Sequence, residues 1–302
     1  MKTLKRMLYV PVLVALSLVA LMVVAAVSMA AQPPVNLGTT SSFAVLAGET
    51  VTNTGLTTIW GDLGVSPGSA FSDLGTVTLH GATHLADAVA LQAQSDLVAA
   101  YDDAAGRTPF NTIPVELGGR TLTPGVYVSD AEGGDFQITG TLTLDAKGDP
   151  NAVFIFKSAS TLITASDSRV RLINGARFCR VFWQVTSSVT LGTNSHFVGH
   201  VFALTSIAAE TGATVQGQLL ARNGAVTLDT NTITNGFCAT ITPSSSATPT
   251  GTGTPTGPGL PTTGLAPDAN GLPWQIPAGI FVVSVILLLA AWRLRAASIR
   301  RH

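Results

Sequence analysis

The chain has 302 residues, 46% of them hydrophobic and only 11% charged, with a formal net charge of −1. That charged share is under half the roughly 25% usual in soluble domains; Thr, Ser, Gly and Asn stand where Lys and Glu usually do. Near-neutrality leaves no electrostatic argument for a nucleic-acid partner, and a hydroxyl-rich, charge-poor surface suits a flat, weakly hydrated contact better than a charged ligand.

At the N-terminus, Lys2, Lys5 and Arg6 precede an apolar run from Met7 to Val27. Ser28-Met29-Ala30 then puts small residues three and one before a cut ahead of Ala31. This is a signal-peptide layout over 1–31, with an uncleaved anchor as the alternative because the run is long. Either one exports the segment that follows.

The folded domain is expected over 35–238, and strand signals dominate it. Short Val/Ile/Phe/Thr runs are punctuated by Gly and Asn: Ser42–Leu46, Val77–Leu79, Gly125–Ser129, Gln137–Leu144, Ala152–Lys157, Val181–Thr186 and Val198–Leu204. One segment differs. From Thr83 to Ala105, Leu85, Val89, Ala93, Leu97 and Tyr101 recur every four positions, widened by Ala86, Ala90 and Ala100. That spacing predicts an amphipathic helix stopped by Gly106, which needs a long flat partner.

Toward the C-terminus the sequence repeats. Thr193, Thr211 and Asp229 stand 18 apart, as do His196, Thr214 and Thr232, and Phe197, Val215 and Ile233. Gly199 and Gly217, Val201 and Leu219, and Ala203 and Ala221 keep the same step. A period near 18 with apolar columns in register predicts one coil of a three-sided β-solenoid. Val226 falls one place out of step with Ile207, which predicts a one-residue insertion in the last coil.

Cys179 and Cys238 are the two cysteines. An oxidising compartment favours a disulfide between them, closing a loop of about 60 residues for about 4 kcal/mol in the chain-entropy picture; two buried thiols are the alternative.

Catalytic signals are weak. His80/His84 and His196/His200 are spaced four apart, but strand positions four apart lie about 13 Å from each other, too far to share a metal. Glycine-flanked aspartates such as Asp62, Asp73, Asp135 and Asp145 suit turns. No phosphate loop, nucleophile elbow or dinucleotide fingerprint is present. The expectation is a monomeric binding module, not an enzyme, with no metal or cofactor.

Residues 239–264, rich in Thr, Pro, Gly and Ser, cannot bury a core and are expected to form a linker or stalk. In segment 265–302, Ala278 to Trp292 is uninterrupted and apolar, and with the residues back to Pro273 it reaches about the 20 residues a bilayer span needs. Arg293, Arg295, Arg300 and Arg301 mark the cytoplasmic side. The domain would then sit on the outer side of the cell envelope.

Four blocks carry a family resemblance: Leu117 to Tyr127, Asn151 to Phe156, Cys179 to Thr193, and Leu219 to Asp229. Together they resemble the microbial ice-binding proteins of bacteria, fungi and algae. The resemblance implies a discontinuous right-handed β-solenoid with a long helix along one side, and ice or ice-like water as the ligand. On such a face, Thr at regular spacing offers a rigid grid of methyls and hydroxyls, because its χ1 is stiff. The family's contact pattern is Thr, small residue, any residue, then Thr or Asn. Thr211-Gly212-Ala213-Thr214 fits it; Thr193-Asn194-Ser195-His196 and Asp229-Thr230-Asn231-Thr232 fit in part. The expected contact residues are Thr193, Ser195, Thr211, Ala213, Thr214, Thr230 and Thr232, with Thr139, Thr141, Thr143, Thr161 and Thr164 extending the face. His196, Glu210 and Asp229 depart from the pattern. A surface adhesin of the same fold is the alternative, and a glycan site would call for exposed Trp or Tyr. The domain's tryptophans are Trp60 and Trp183, the latter in an apolar run.

Leu260-Pro261-Thr262-Thr263-Gly264 resembles the sorting signal of sortase-anchored wall proteins, which implies a cut between Thr263 and Gly264 and attachment to the wall. A plain membrane anchor is the alternative.

Overall fold

The computed structural model describes residues 32–236. All its strand pairings are parallel, and one long helix accompanies them. Parallel strands need crossover connections; here each coil supplies the crossover by running through two further strands before returning to the same row.

Three rows of strands result. The first row stacks Phe136–Ile138, Leu162–Thr164, Val189–Leu191, Ile207–Ala209, Val226–Asp229, Thr50–Thr54 and Ala70–Asp73. The second stacks Thr121–Leu122, Thr141–Asp145, Arg169–Ile173, the first halves of His196–Ala203 and Thr214–Ala221, then Thr232–Thr234, Leu56–Trp60 and Thr76–His80. The third stacks Asn111–Ile113, Gly125–Ser129, Phe154–Ser158, Val181–Val185, the second halves of the same two long strands, then Phe43–Ala47, Asp62–Val65 and Thr83–Leu85.

The order is not sequential. Coils made from residues 43–85 stack on the coil made from 226–234, through Val51 against Val226 and Ile233 against Ile59. The chain therefore starts mid-stack and builds to one end. It crosses back along the helix and then climbs from the far end to meet its own beginning.

The repeat of 18 holds in the pairing. His196, Thr214 and Thr232 lie in one column, and Phe197, Val215 and Ile233 in the next. Ile207 pairs with Val226, so the one-residue insertion is real. The expected strand Gln137–Leu144 is two strands, broken between Ile138 and Thr141 where the chain turns from the first row to the second.

Two long strands turn a corner in mid-course. Gly199 and Gly217 sit there at φ of 117° and 146°. A Cβ on Gly217 would lie 1.9 Å from the Gly199 carbonyl oxygen, so only glycine lets the coils stack at this bend. The bend also corrects the histidine geometry. His196 is exposed on the second row, whereas His200, past Gly199, is buried on the third row against Phe178 and Phe182.

The helix, α1, spans Ala88–Gly106, not 83–105. Thr83–Leu85 instead pair with Leu63–Val65 as a strand. Ala86 then takes a left-handed φ of 51°, and the Asp87 carboxylate caps the helix by accepting from the Ala90 N–H. Its buried stripe is Ala90, Ala93, Gln94, Leu97, Ala100, Tyr101 and Ala104, while the expected Leu85 and Val89 are exposed. The stripe packs on Phe43, Leu46, Ile155, Phe182, Phe202 and Leu220 of the third row.

A separate core fills the inside of the coils, with Tyr127, Phe156 and Trp183 stacked coil on coil. The Trp183 indole donates to the Val198 carbonyl at 3.0 Å.

Cys179 is disulfide-bonded. The chain's other cysteine, Cys238, lies outside the described residues, as do the leader 1–31, the linker, the sorting motif 260–264 and the C-terminal apolar segment. Among the described residues no helix is long and apolar enough to cross a membrane.

Candidate functional site

The first row is a regular surface. All six of its neighbouring pairs run without a register shift. Its inward residues, Phe136, Leu162, Val189, Ile207, Val226 and Val51, are buried core. Period-2 alternation then sends the residues between them outward. In stacking order these are Gln137, Ile163, Thr190, Ala208, Thr227, Thr52 and Ser72.

None of these seven is charged. Ile163 stands 43% exposed, an apolar residue held at the surface. The column crosses the chain's discontinuity without interruption, since the Thr52 hydroxyl lies 3.4 Å from that of Thr227. Thr50, Thr52 and Thr54 lie along one strand in positions two apart, which spaces them about 7 Å from one another, with coils about 4.8 Å apart.

Carboxylates border the row at both strand ends, Glu49 and Asp135 just before its strands begin, Asp73 and Asp229 where they finish. Asp73 accepts from the Asn53 amide and from the Gly75 and Val77 N–H groups, and these hold it below its usual pKa. Asp229 accepts from the hydroxyls of Thr211 and Thr230, which hold it low as well.

The sequence-predicted contact residues are not brought to one face. Ser195 and Ala213 are buried, at 1% and 0% exposure, so they cannot touch an external ligand. The reason is local. Asn194, Gly212 and Thr230 each adopt a left-handed φ at the corner between the first and second rows, which turns the following Ser195, Ala213 and Asn231 inward. Thr193, Thr211 and Thr230 stand at that corner. Thr214 and Thr232 lie on the second row, in the column of Thr141, Arg169 and His196. There the Thr214 hydroxyl lies 2.8 Å from the His196 ring. Of the extending residues, Thr141 and Thr143 join the second row and Thr139 sits at the turn. Thr161 hydrogen-bonds Asp135 at the edge, and Thr164 is buried, accepting from the Gly192 N–H.

The second row is rougher. Arg169, Arg171, His196, Trp60 and His80 all project from it. Among the described residues no group of three or more His, Cys, Asp or Glu could hold a metal ion.

Residues 45–234 match the Ice-binding-like family. The chain belongs to that family. It is 48% identical over 201 residues to an ice-binding protein of Nostoc sp. (strain HG1), covering 66% of this chain and 73% of that one. An ice-binding protein from an Antarctic biological consortium, solved as a crystal structure, is 45% identical with a TM-score of 0.64, covering 68% of this chain and 93% of that one. Another, from Antarctomyces psychrotrophicus, is 41% identical with a TM-score of 0.63, covering 68% of this chain and all of that one. The match thus takes in the whole of that solved chain. Like those relatives, the described domain is mostly parallel β with one helix.

Proposed function

We propose that this ice-binding family member adsorbs to ice through its first row, as one wall of a right-handed three-sided β-solenoid. The observation that carries the reading is the unbroken, uncharged column Gln137, Ile163, Thr190, Ala208, Thr227, Thr52 and Ser72. Liquid water is held most tightly by charges, and this column has none. Methyls and hydroxyls fixed on a rigid sheet present water with a repeating template and lose little rotamer freedom on contact. The second row has arginines and a Thr–His hydrogen bond where a template would need identical small groups.

The test is thermal hysteresis and ice recrystallisation inhibition by fragment 32–238. Thr52→Tyr and Thr227→Tyr should each remove most of the activity, and Thr214→Tyr should leave it nearly intact. The reverse pattern moves the contact to the second row and the corner threonines. An inactive wild type ends the ice reading.

We further infer that the domain acts outside the cell, exported by segment 1–31 and held to the envelope by the C-terminal segment. The apolar runs, the arginine tail and the Leu260–Gly264 motif support this. A tether confines ice contact to the cell surface, which fits adhesion to ice better than protection of a distant volume. Wall fractions from cells with Thr263→Ala would release less of the protein on muralytic digestion; unchanged release leaves the membrane as the anchor. The binding mechanism needs no catalytic group and no cofactor.

A further inference from the structure

The second row ends, at the corner next to the 3-10 turn Gly38–Ser42, in a concave site that the ice reading does not use. Trp60 is 47% exposed there. His80, its register partner in the next coil, stacks on the indole with centroids 3.6 Å apart and planes 8° apart. On the other side the register neighbour of Trp60 is Thr234, too small to cover an indole face. One face of the indole is thus taken by imidazole, and Trp60, His80, Asp62, Ser41, Ser42 and Thr234 help to line a cavity of about 440 Å³. That volume falls within the roughly 300–1,000 Å³ of small-ligand sites.

The chemistry is specific in kind. An indole held rigid by stacking offers a flat apolar platform. The Asp62 carboxylate is anchored through one oxygen, which accepts from the Ala82 N–H at 2.8 Å, leaving the second oxygen free to accept hydroxyls. Serine and threonine hydroxyls ring the opening. Among the described residues no lysine or arginine lines the cavity, so no permanent cation there would neutralise an anionic ligand. We propose that this is a second binding site, for an uncharged sugar ring whose C–H face stacks on Trp60 and whose hydroxyls donate to Asp62. Without a lysine or arginine at its lining the site disfavours acidic sugars. The site does not rest on the ice reading and lies on a different row.

The probes are chitotriose and cellotriose, two neutral β-linked trisaccharides. In 15N-labelled fragment 32–238 the indole region of a 1H–15N spectrum holds two resonances, from Trp60 and Trp183. Titration with at least one probe should move the Trp60 signal saturably and leave buried Trp183 in place. Trp60→Ala should abolish binding, read by the backbone resonances of Ser41 and Asp62. Asp62→Asn, which keeps an acceptor for Ala82, should weaken binding about tenfold. Circular dichroism melting shows whether each variant is folded. The absence of a saturable shift with either sugar up to about 20 mM, or binding that persists in folded Trp60→Ala, overturns the proposal.

Discussion

At the scale of the residue, His200 is the group under most tension with its surroundings. It is 2% exposed, lies against Phe182, and has the Gln218 side chain near its ring as a polar neighbour, too poorly aligned for a full hydrogen bond. Burial holds its pKa down from 6.5 to about 4, with the neighbouring Gln218 offsetting only part of the effect. The unfolded imidazole takes a proton near pH 6.5 and the folded one only near 4. The stability is therefore complete above pH 6.5 and is lost as the pH falls toward 4. Over that window the loss should approach about 3 kcal/mol. Urea unfolding at pH 7 and pH 4.5 should show it, and His200→Leu should flatten the difference. The same scale explains what the sequence hid about the threonines. The 18-residue step names the residues that share a column but not the direction in which a column points. One left-handed residue per coil, such as Asn194 or Thr230, turns the side chains after it inward. Thr, Asn and Ser at a corner look alike on either side of that turn.

At the scale of the element, α1 was legible by its four-residue recurrence and misplaced at its start. Thr83–Leu85 continue the apolar rhythm, yet strand pairing to Leu63–Val65 claims them, and Asp87 three residues before the Ala90 N–H is the true cap signal. The helix is held by its buried stripe more than by propensity. Leu97 is fully buried, so Leu97→Ala should cost about 2–5 kcal/mol, read from the urea midpoint. The corner strands make an independent prediction. Gly217→Ala would add strain at φ 146° to a clash with the Gly199 carbonyl, and should destabilise the domain by about 3 kcal/mol. Both changes lie away from the first row, so thermal hysteresis measured well below the melting temperature should survive in whatever fraction stays folded.

At the scale of the molecule, the solenoid-like stack and its helix followed from period and pattern, because stacking of identical columns is a local rule that the sequence repeats. The order of the stack did not. Nothing in the spacing of Val51 or Ile59 says that their neighbours are Val226 and Ile233, more than 170 residues away. Those pairings carry weight. A chain ending at Asn223 would keep only the Phe43–Ala47 pairing with Thr214–Ala221 between the two halves, losing those of Val226–Asp229 and Thr232–Thr234, and should fail to give a native circular dichroism spectrum or a cooperative melt, although it retains most of the strands.

That closure has a temporal side. Strands 43–85 leave the ribosome first, yet their permanent neighbours are the last of the domain to be made. A nascent chain can pair these strands only with one another until the stretch from Thr214 onward has been made. The fold therefore stays unlocked through most of synthesis, and the lock arrives with the final coils.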